Sequence, residues 1–306
     1  YLVDAKQSQK MAPYANGKWK GGLATPSDAR AEPFLAVPAI ARALQKKGAA
    51  IVEDCAVRTI EKTNAALTAV VTEKGVVKTS AVVCAAGAWC NLFLANLGIS
   101  LPQLVVKGTV SRTAPAPTSM LEGTAGLGDL FLRRRVDGGF TIGSTMMEHT
   151  IGPDSFRHGL KFIPSLASAS DLKIVLGKDV TQRALLSKQW FGDKPTIFEQ
   201  HRVLNPEPSG AVLKQTREHL RRRLPEIGEI GIEQSWAGMI DATPDVVPVM
   251  DSIPSVDGLF VATGFSGHGF GIGPGAGKVM AQLVLGEKSP FDLSRFRFSR
   301  FSDGSK

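Results

Sequence analysis

Cysteine is scarce in this chain of 306 residues: Cys55, Cys84 and Cys90 are the three, with no CxxC pair and no histidine spaced to join them. That argues against a disulfide framework and a zinc site, so no metal is expected, and for a reducing compartment. The expected location is the cytoplasm, with peripheral attachment to an inner membrane as the alternative. Long apolar runs are also missing. Residues 79–106 carry no charge, but Gly87, Asn91, Asn96, Gly98 and Pro102 interrupt them, and no unbroken stretch reaches the roughly 20 apolar residues a spanning helix needs. The start, Tyr1 with Asp4, Lys6 and Lys10 close behind, has no apolar h-region and reads as incomplete rather than as a signal peptide. The net charge is +8, and its densest clusters are Arg133-Arg134-Arg135 and Arg217 with Arg221-Arg222-Arg223. Neither has aromatics interleaved with it, so no nucleic-acid partner is expected.

What remains is an ordinary globular composition, 43% hydrophobic, sufficient for one large or two smaller domains. The spacing from Pro38 to Lys47 predicts a helix stopped by Gly48. Short strand-like runs follow at Ala50–Glu53, Ala56–Ile60, Leu67–Thr72 and Gly75–Val77, with a hairpin marked by Gly75. Ala81–Ala85 is apolar on both faces, as a strand inside a parallel sheet must be, and breaks at Gly87 into a helix from Trp89 to Leu97. From about 100 to 240 the texture changes to separated strands (105–113, 130–135, 140–142) and two helices (156–163, 212–224), a second unit of mixed or antiparallel type. A doubly apolar strand, 259–263, and a last helix from Val279 then suggest that the first sheet resumes at the end of the chain.

Between that strand and helix lies ATGFSGHGFGIGPGAGK (262–278), seven glycines in seventeen positions. A strand, a glycine turn and a helix start form an anion or dipole site, because the first helical N–H groups lack partners and glycine admits close approach. Pro274 suits a first helical turn. A Walker A loop is excluded by Ile272 and Val279, and a nucleophile elbow around Ser266 by His268. Gly271-x-Gly273-x-x-Ala276 satisfies a loose dinucleotide fingerprint but lacks the following strand and acid. Two readings stay open: a turn that only packs helix on sheet, or a loop that meets a large planar cofactor. The second bend, VVCAAGAW (82–89), favours the cofactor.

Taken together, SWAGMIDATPDVVPVMDSIPSVDGLFVATGFSGHGFGIGPGAGKVMAQLVLGE (235–287), VVCAAGAWC, KGTVSRT (107–113), RRRVDGGFTIGST (133–145) and FDLSRFRFSRF (291–301) resemble, in order, the FAD-dependent oxidoreductases of the D-amino-acid oxidase family, which includes sarcosine and glycine oxidases and D-amino-acid dehydrogenases. The resemblance implies an α/β (mixed α+β) fold: an incomplete Rossmann-like FAD-binding domain from 31–97 and 241–306 whose first βαβ is missing, and an inserted mixed or antiparallel substrate domain from 1–30 and 98–240. It implies FAD contacts at Val57, Ala86, Gly87, Trp89, Gly264, Gly267, Gly269, Phe270, Gly271, Ile272 and Gly273, with the amides of Gly271, Ile272 and Gly273 aimed at the flavin. It implies oxidation of the C–N bond of a D-amino acid or secondary amine, by hydride transfer to flavin N5 and hydrolysis of the imine, with His268, Trp236 and Arg133 on the substrate side.

The pattern departs from the family in two ways. The N-terminal GxGxxG strand is absent, which leaves a noncatalytic subunit or remnant, paired with a partner chain, as the alternative. The arginine after WAG that clamps carboxylates is Ile240 here, the lysine after GHGF is Gly271, and no cysteine stands where relatives attach flavin covalently. FAD is therefore expected to be noncovalent, with Arg133, Arg135 or Lys107 left for a substrate carboxylate. The expected partners are an amine or amino-acid substrate and an electron acceptor or partner subunit.

Overall fold

A computed structural model describes residues 1–117, 121–168, 171–176 and 190–304. It divides into two compact units, residues 1–51, 107–147 and 205–238, and residues 52–106, 148–204 and 239–306. These units are drawn differently from the expected division: 31–51 groups with the first, and 98–106 and 148–204 with the second.

The first unit is built on antiparallel strands in the order Thr124–Gly126, Leu130–Arg134, Phe140–Ser144 and Leu104–Thr113, the last also pairing with Ile232–Ala242. Period-two alternation sends Leu130, Leu132 and Arg134 inward and leaves Phe131 half-exposed. The helix Gly210–Arg223 buries Val212, Thr216 and Leu220, positions i, i+4 and i+8 of one stripe, and Leu220 joins Phe140 and Ile142 in one cluster. Ser209 starts this helix by accepting the Val212 amide. The helix expected from Pro38 begins earlier, at Pro33, because Pro33 fits its first turn.

Arginines of the basic clusters find partners within this unit. Arg134 is buried over the Phe140 ring and donates to the carbonyls of Ala116 and Pro117. Arg135 pairs with Asp137, Arg221 with Glu229, and both Arg222 and Arg223 with Asp129.

The second unit holds two small sheets. Val57–Thr63, Ala66–Thr72 and Gly75–Lys78 form an antiparallel meander, with Gly75 at φ +134° in the hairpin anticipated there. In the other, Val249–Ser252 runs antiparallel to Leu259–Thr263, and Leu259–Thr263 runs parallel to Val82–Cys84. The C-terminal strand thus continues a sheet begun far upstream, as the sequence suggests. Cys84, Phe93, Leu94, Leu101, Val249, Leu259 and Val261 form its core.

Three expectations are corrected in this unit. Ala50–Glu53 is not a strand: no neighbour offers it a ladder, and Val52 is 61% exposed. The strand Val82–Cys84 is not buried on both faces, since it lies at its sheet's edge with Val83 39% exposed. The last helix begins at Gly269 rather than Val279 and runs to Val284, so Pro274 lies inside it and not in its first turn. Among the described residues no helix is long and apolar enough to cross a membrane, and no group of three His, Cys, Asp or Glu could hold a metal.

Candidate functional site

Two backbone bends define the site, and each follows from its own letters. After Val82–Cys84 the chain reaches Gly87 in the left-handed region (φ +54°) and turns through Gly87–Trp89 into the helix Cys90–Asn96. The Ala86 amide donates to Cys90 Sγ at 3.2 Å, and Cys84 Sγ lies 3.5 Å from Cys90 Sγ. That sulfur contact, with burial added to it, pushes the Cys84 thiol up, while the same contact draws Cys90 down.

The second bend follows Thr263. Gly264 sits at φ +73°, and a Cβ there would fall 2.3 Å from Thr243 Cγ2, so this glycine is demanded by the fold itself. Ser266 (φ +52°) and Gly267 (φ +90°) complete the turn, and His268 stands at the cap of the helix Gly269–Val284 without a side-chain capping bond. Its carbonyl accepts the Ile272 amide at 3.4 Å. The amides left without an intrahelical partner are therefore those of Gly269, Phe270 and Gly271, two residues earlier than the expected Gly271, Ile272 and Gly273.

Both bends open on one cavity of about 350 Å³, lined by Val83, Ala85 and Gly87 from the first and by Ala262, Phe265, Gly269, Gly273, Ala276, Gly277 and Met280 from the second, with Asp241 beside them. The volume lies at the lower end of ligand pockets, about 300–1,000 Å³. Gly269, Gly273, Ala276, Gly277 and Met280 follow helical spacing, so one face of the helix forms a wall of it. Gly273 and Gly277 have ordinary helical φ, and a Cβ built on either would meet nothing within 4 Å. Interior helical glycine costs about 1 kcal/mol against alanine. Among the described residues, nothing within 4 Å of a Cβ requires that cost at these two positions.

Asp241, absent from the residues expected at the site, is next to last in the strand Ile232–Ala242. Its Oδ2 accepts the Gly264 amide at 2.5 Å and the Thr263 hydroxyl at 2.7 Å, and its carbonyl accepts the Ser266 amide. One acid within MIDATPD gives no periodic signal, and only the fold brings it to the glycine turn.

The remaining expected residues fall as follows. Val57 opens the antiparallel meander and Trp89 packs edge-on against Phe198 with centroids 5.3 Å apart; neither lines the cavity. His268 and Phe270 are exposed at the helix start. In the first unit, Trp236 meets Phe34 at 6.2 Å, and Arg133 pairs with Glu32 at 2.9 Å while donating to the Ala31 carbonyl. Lys107 donates to the Glu207 carbonyl.

N-methyl-L-tryptophan oxidase of Salmonella dublin is 43% identical over 83 residues, 27% of this chain and 22% of that protein. D-amino acid dehydrogenase of Rhizobium rhizogenes is 26% identical over 289 residues, 94% of this chain and 56% of that one. L-amino acid deaminase from Proteus myxofaciens, solved in complex with anthranilate, superposes with a TM-score of 0.89 at 26% identity, over 99% of this chain and 68% of that one. The chain thus spans about half the length, or less, of these curated relatives. The family described as FAD dependent oxidoreductase matches residues 1–283, and the chain, with its two glycine bends on one cavity, belongs to it.

Proposed function

We propose that this chain carries flavin-contacting and substrate-side parts of an FAD-dependent oxidoreductase acting on the C–N bond of an amine or amino acid. The observation that carries the reading is the pair of interior helical glycines, Gly273 and Gly277, facing open space in the cavity that also receives Gly87. Bare backbone at these points admits a flat group to van der Waals contact, which any side chain would prevent. When bound, FAD supplies the two-electron acceptor for a hydride from the amine-bearing carbon.

The chain's own residues bind and orient. The free amides of Gly269, Phe270 and Gly271, with the positive end of a sixteen-residue helix behind them, favour negative charge at the cavity mouth. The φ +54° bend at Gly87 brings backbone rather than side chain to the opposite wall. In this reading the flavin is held noncovalently. His268 and Trp236 are the side chains we assign to the substrate side, and Arg133 would reach a substrate carboxylate only by giving up Glu32. The D-amino acid dehydrogenase, N-methyl-L-tryptophan oxidase and L-amino acid deaminase among the relatives point to amino acids and their N-alkyl derivatives as substrate class, without fixing the hand at the α-carbon.

The test is titration of FAD with the purified chain, followed by quenching of flavin fluorescence and by the visible spectrum. Saturable quenching with a perturbed flavin band is expected. A colourless chain that leaves FAD fluorescence unchanged would overturn the reading in favour of a noncatalytic subunit.

A further inference from the structure

Gln103 lies between Pro102 and the strand Leu104–Thr113, and it is 1% exposed. A buried side-chain amide must find partners for two donor hydrogens and an acceptor oxygen, or cost more than it contributes. Here every partner lies in or directly beside one of the two bends, or is the acid between them. Gln103 Oε1 accepts the Asn91 amide at 3.0 Å, in the first turn of the helix after the Gly87 bend. Its Nε2 lies 3.2 Å from the Gly87 carbonyl, 3.0 Å from Thr263 Oγ1 and 3.2 Å from Asp241 Oδ2. Two hydrogens serve three acceptors, so at least one is shared.

The other half of the link is equally explicit. The Thr263 hydroxyl gives its one proton to Asp241 Oδ2 at 2.7 Å, leaving its lone pairs to accept from Gln103; its contact with the Gly87 carbonyl, at 3.4 Å, is the longer of the two. Asp241 Oδ2 also takes the Gly264 amide at 2.5 Å. A continuous path therefore runs from the Gly87 carbonyl through Gln103 and Asp241 to the Gly264 amide. The parallel ladder between the two strands has its last pair at Val261 and Cys84, before either bend begins. Beyond that point, side chains set the distance between the bends.

We propose that Gln103 is a positioning residue that holds the Gly87 and Gly264 bends in register across the cavity; its importance for ligand rests on the reading that the cavity receives FAD. It touches no ligand itself. Its effect is to fix where two stretches of bare backbone stand, which local torsions at glycine would leave loose.

The test is Gln103→Glu, which keeps shape but replaces the donating NH₂ with an acceptor. The titratable groups around it are Asp241, which it faces, and the buried thiols Cys84 and Cys90 beside the Gly87 bend. Facing Asp241 and the Gly87 carbonyl, the introduced carboxyl repels when ionised and regains one donor when protonated. Two readouts apply. Amide hydrogen exchange, without FAD, is expected to accelerate at 86–91 and 263–267 while the strands Leu130–Arg134 and Phe140–Ser144 keep their rates. FAD affinity is expected to fall at least tenfold at pH 8 relative to the unaltered chain, and to recover severalfold at pH 5.5. Unchanged exchange at both segments, acceleration spread over the whole chain, or an affinity loss that acid does not relieve would each overturn the proposal. Should Gln103→Glu fail to fold, Thr263→Val, which keeps the branch and removes the hydroxyl, is judged by the same exchange pattern. If the unaltered chain does not bind FAD, the cofactor reading fails while the exchange experiment still decides the role of Gln103.

Discussion

Replacing Gly273 with alanine sets stability and binding against each other. A Cβ at this position meets nothing within 4 Å and the backbone is helical, so the substitution brings no clash. Alanine is favoured over glycine inside a helix by about 1 kcal/mol. For a domain of roughly 150–250 residues that raises the unfolding midpoint by about 2–4 °C. The new methyl, however, projects into the cavity shared with Gly87. Overpacking of a fitted site costs about 1–3 kcal/mol, which at 1.4 kcal/mol per decade is a loss of roughly 5- to 150-fold in FAD affinity. Gly275 supplies the control: it is equally open but lies off the cavity wall, so Gly275→Ala is expected to stabilise similarly and leave FAD affinity in place. Calorimetry and fluorescence titration of the two variants check both halves. A Gly273→Ala protein that is less stable, or that binds FAD as the Gly275→Ala protein does, would refute the claim that these glycines are kept for a ligand.

Two further outcomes follow from the second unit. Arg300 is buried, grips Asp245 with bonds of 2.8 and 3.0 Å and donates to the Val247 carbonyl at 2.6 Å; Arg300→Leu is expected to cost about 1–3 kcal/mol at neutral pH, read by chemical denaturation. Burial raises the Asp245 carboxyl, but the Arg300 bond and charge and the Val247 amide outweigh it and hold the group below its ordinary value. A depressed carboxyl stabilises above its unfolded value, about 3.9, and that stabilisation is lost as pH falls through the folded value. Arg300→Leu should therefore flatten the acid limb of the stability profile below about pH 4, and an unchanged limb would count against the pair. Of the three thiols, Cys55 is partly exposed while Cys84 and Cys90 are buried, so Ellman's reagent is expected to titrate one thiol rapidly and the others only after unfolding; three fast thiols would contradict the packing of the Gly87 bend.

Much of the site was legible because it is written in local pattern. Gly87 after an apolar strand, and Gly264 and Gly267 after another, mark bends that need the left-handed region, and those bends are where the chain turns. The start of the last helix was misplaced for an equally physical reason. Glycine disfavours helix, so 269–278 reads as loop, yet packing of Ala276, Val279 and Met280 carries the helix through it. Ala50–Glu53 erred in the other direction, since β-branched letters make a strand only where a neighbour supplies hydrogen bonds.

The letters alone determined the apolar periods, the positions of the bends and the membership of the family, because each depends on a residue and its near neighbours. Tertiary structure decided that Gly87 and Gly273 share one cavity, that Asp241 and Gln103 stand between the bends, and that Arg133 is held by Glu32. These are meetings of segments far apart in the chain, and only the burial of the whole sheet selects them from the many pairings the same residues could make.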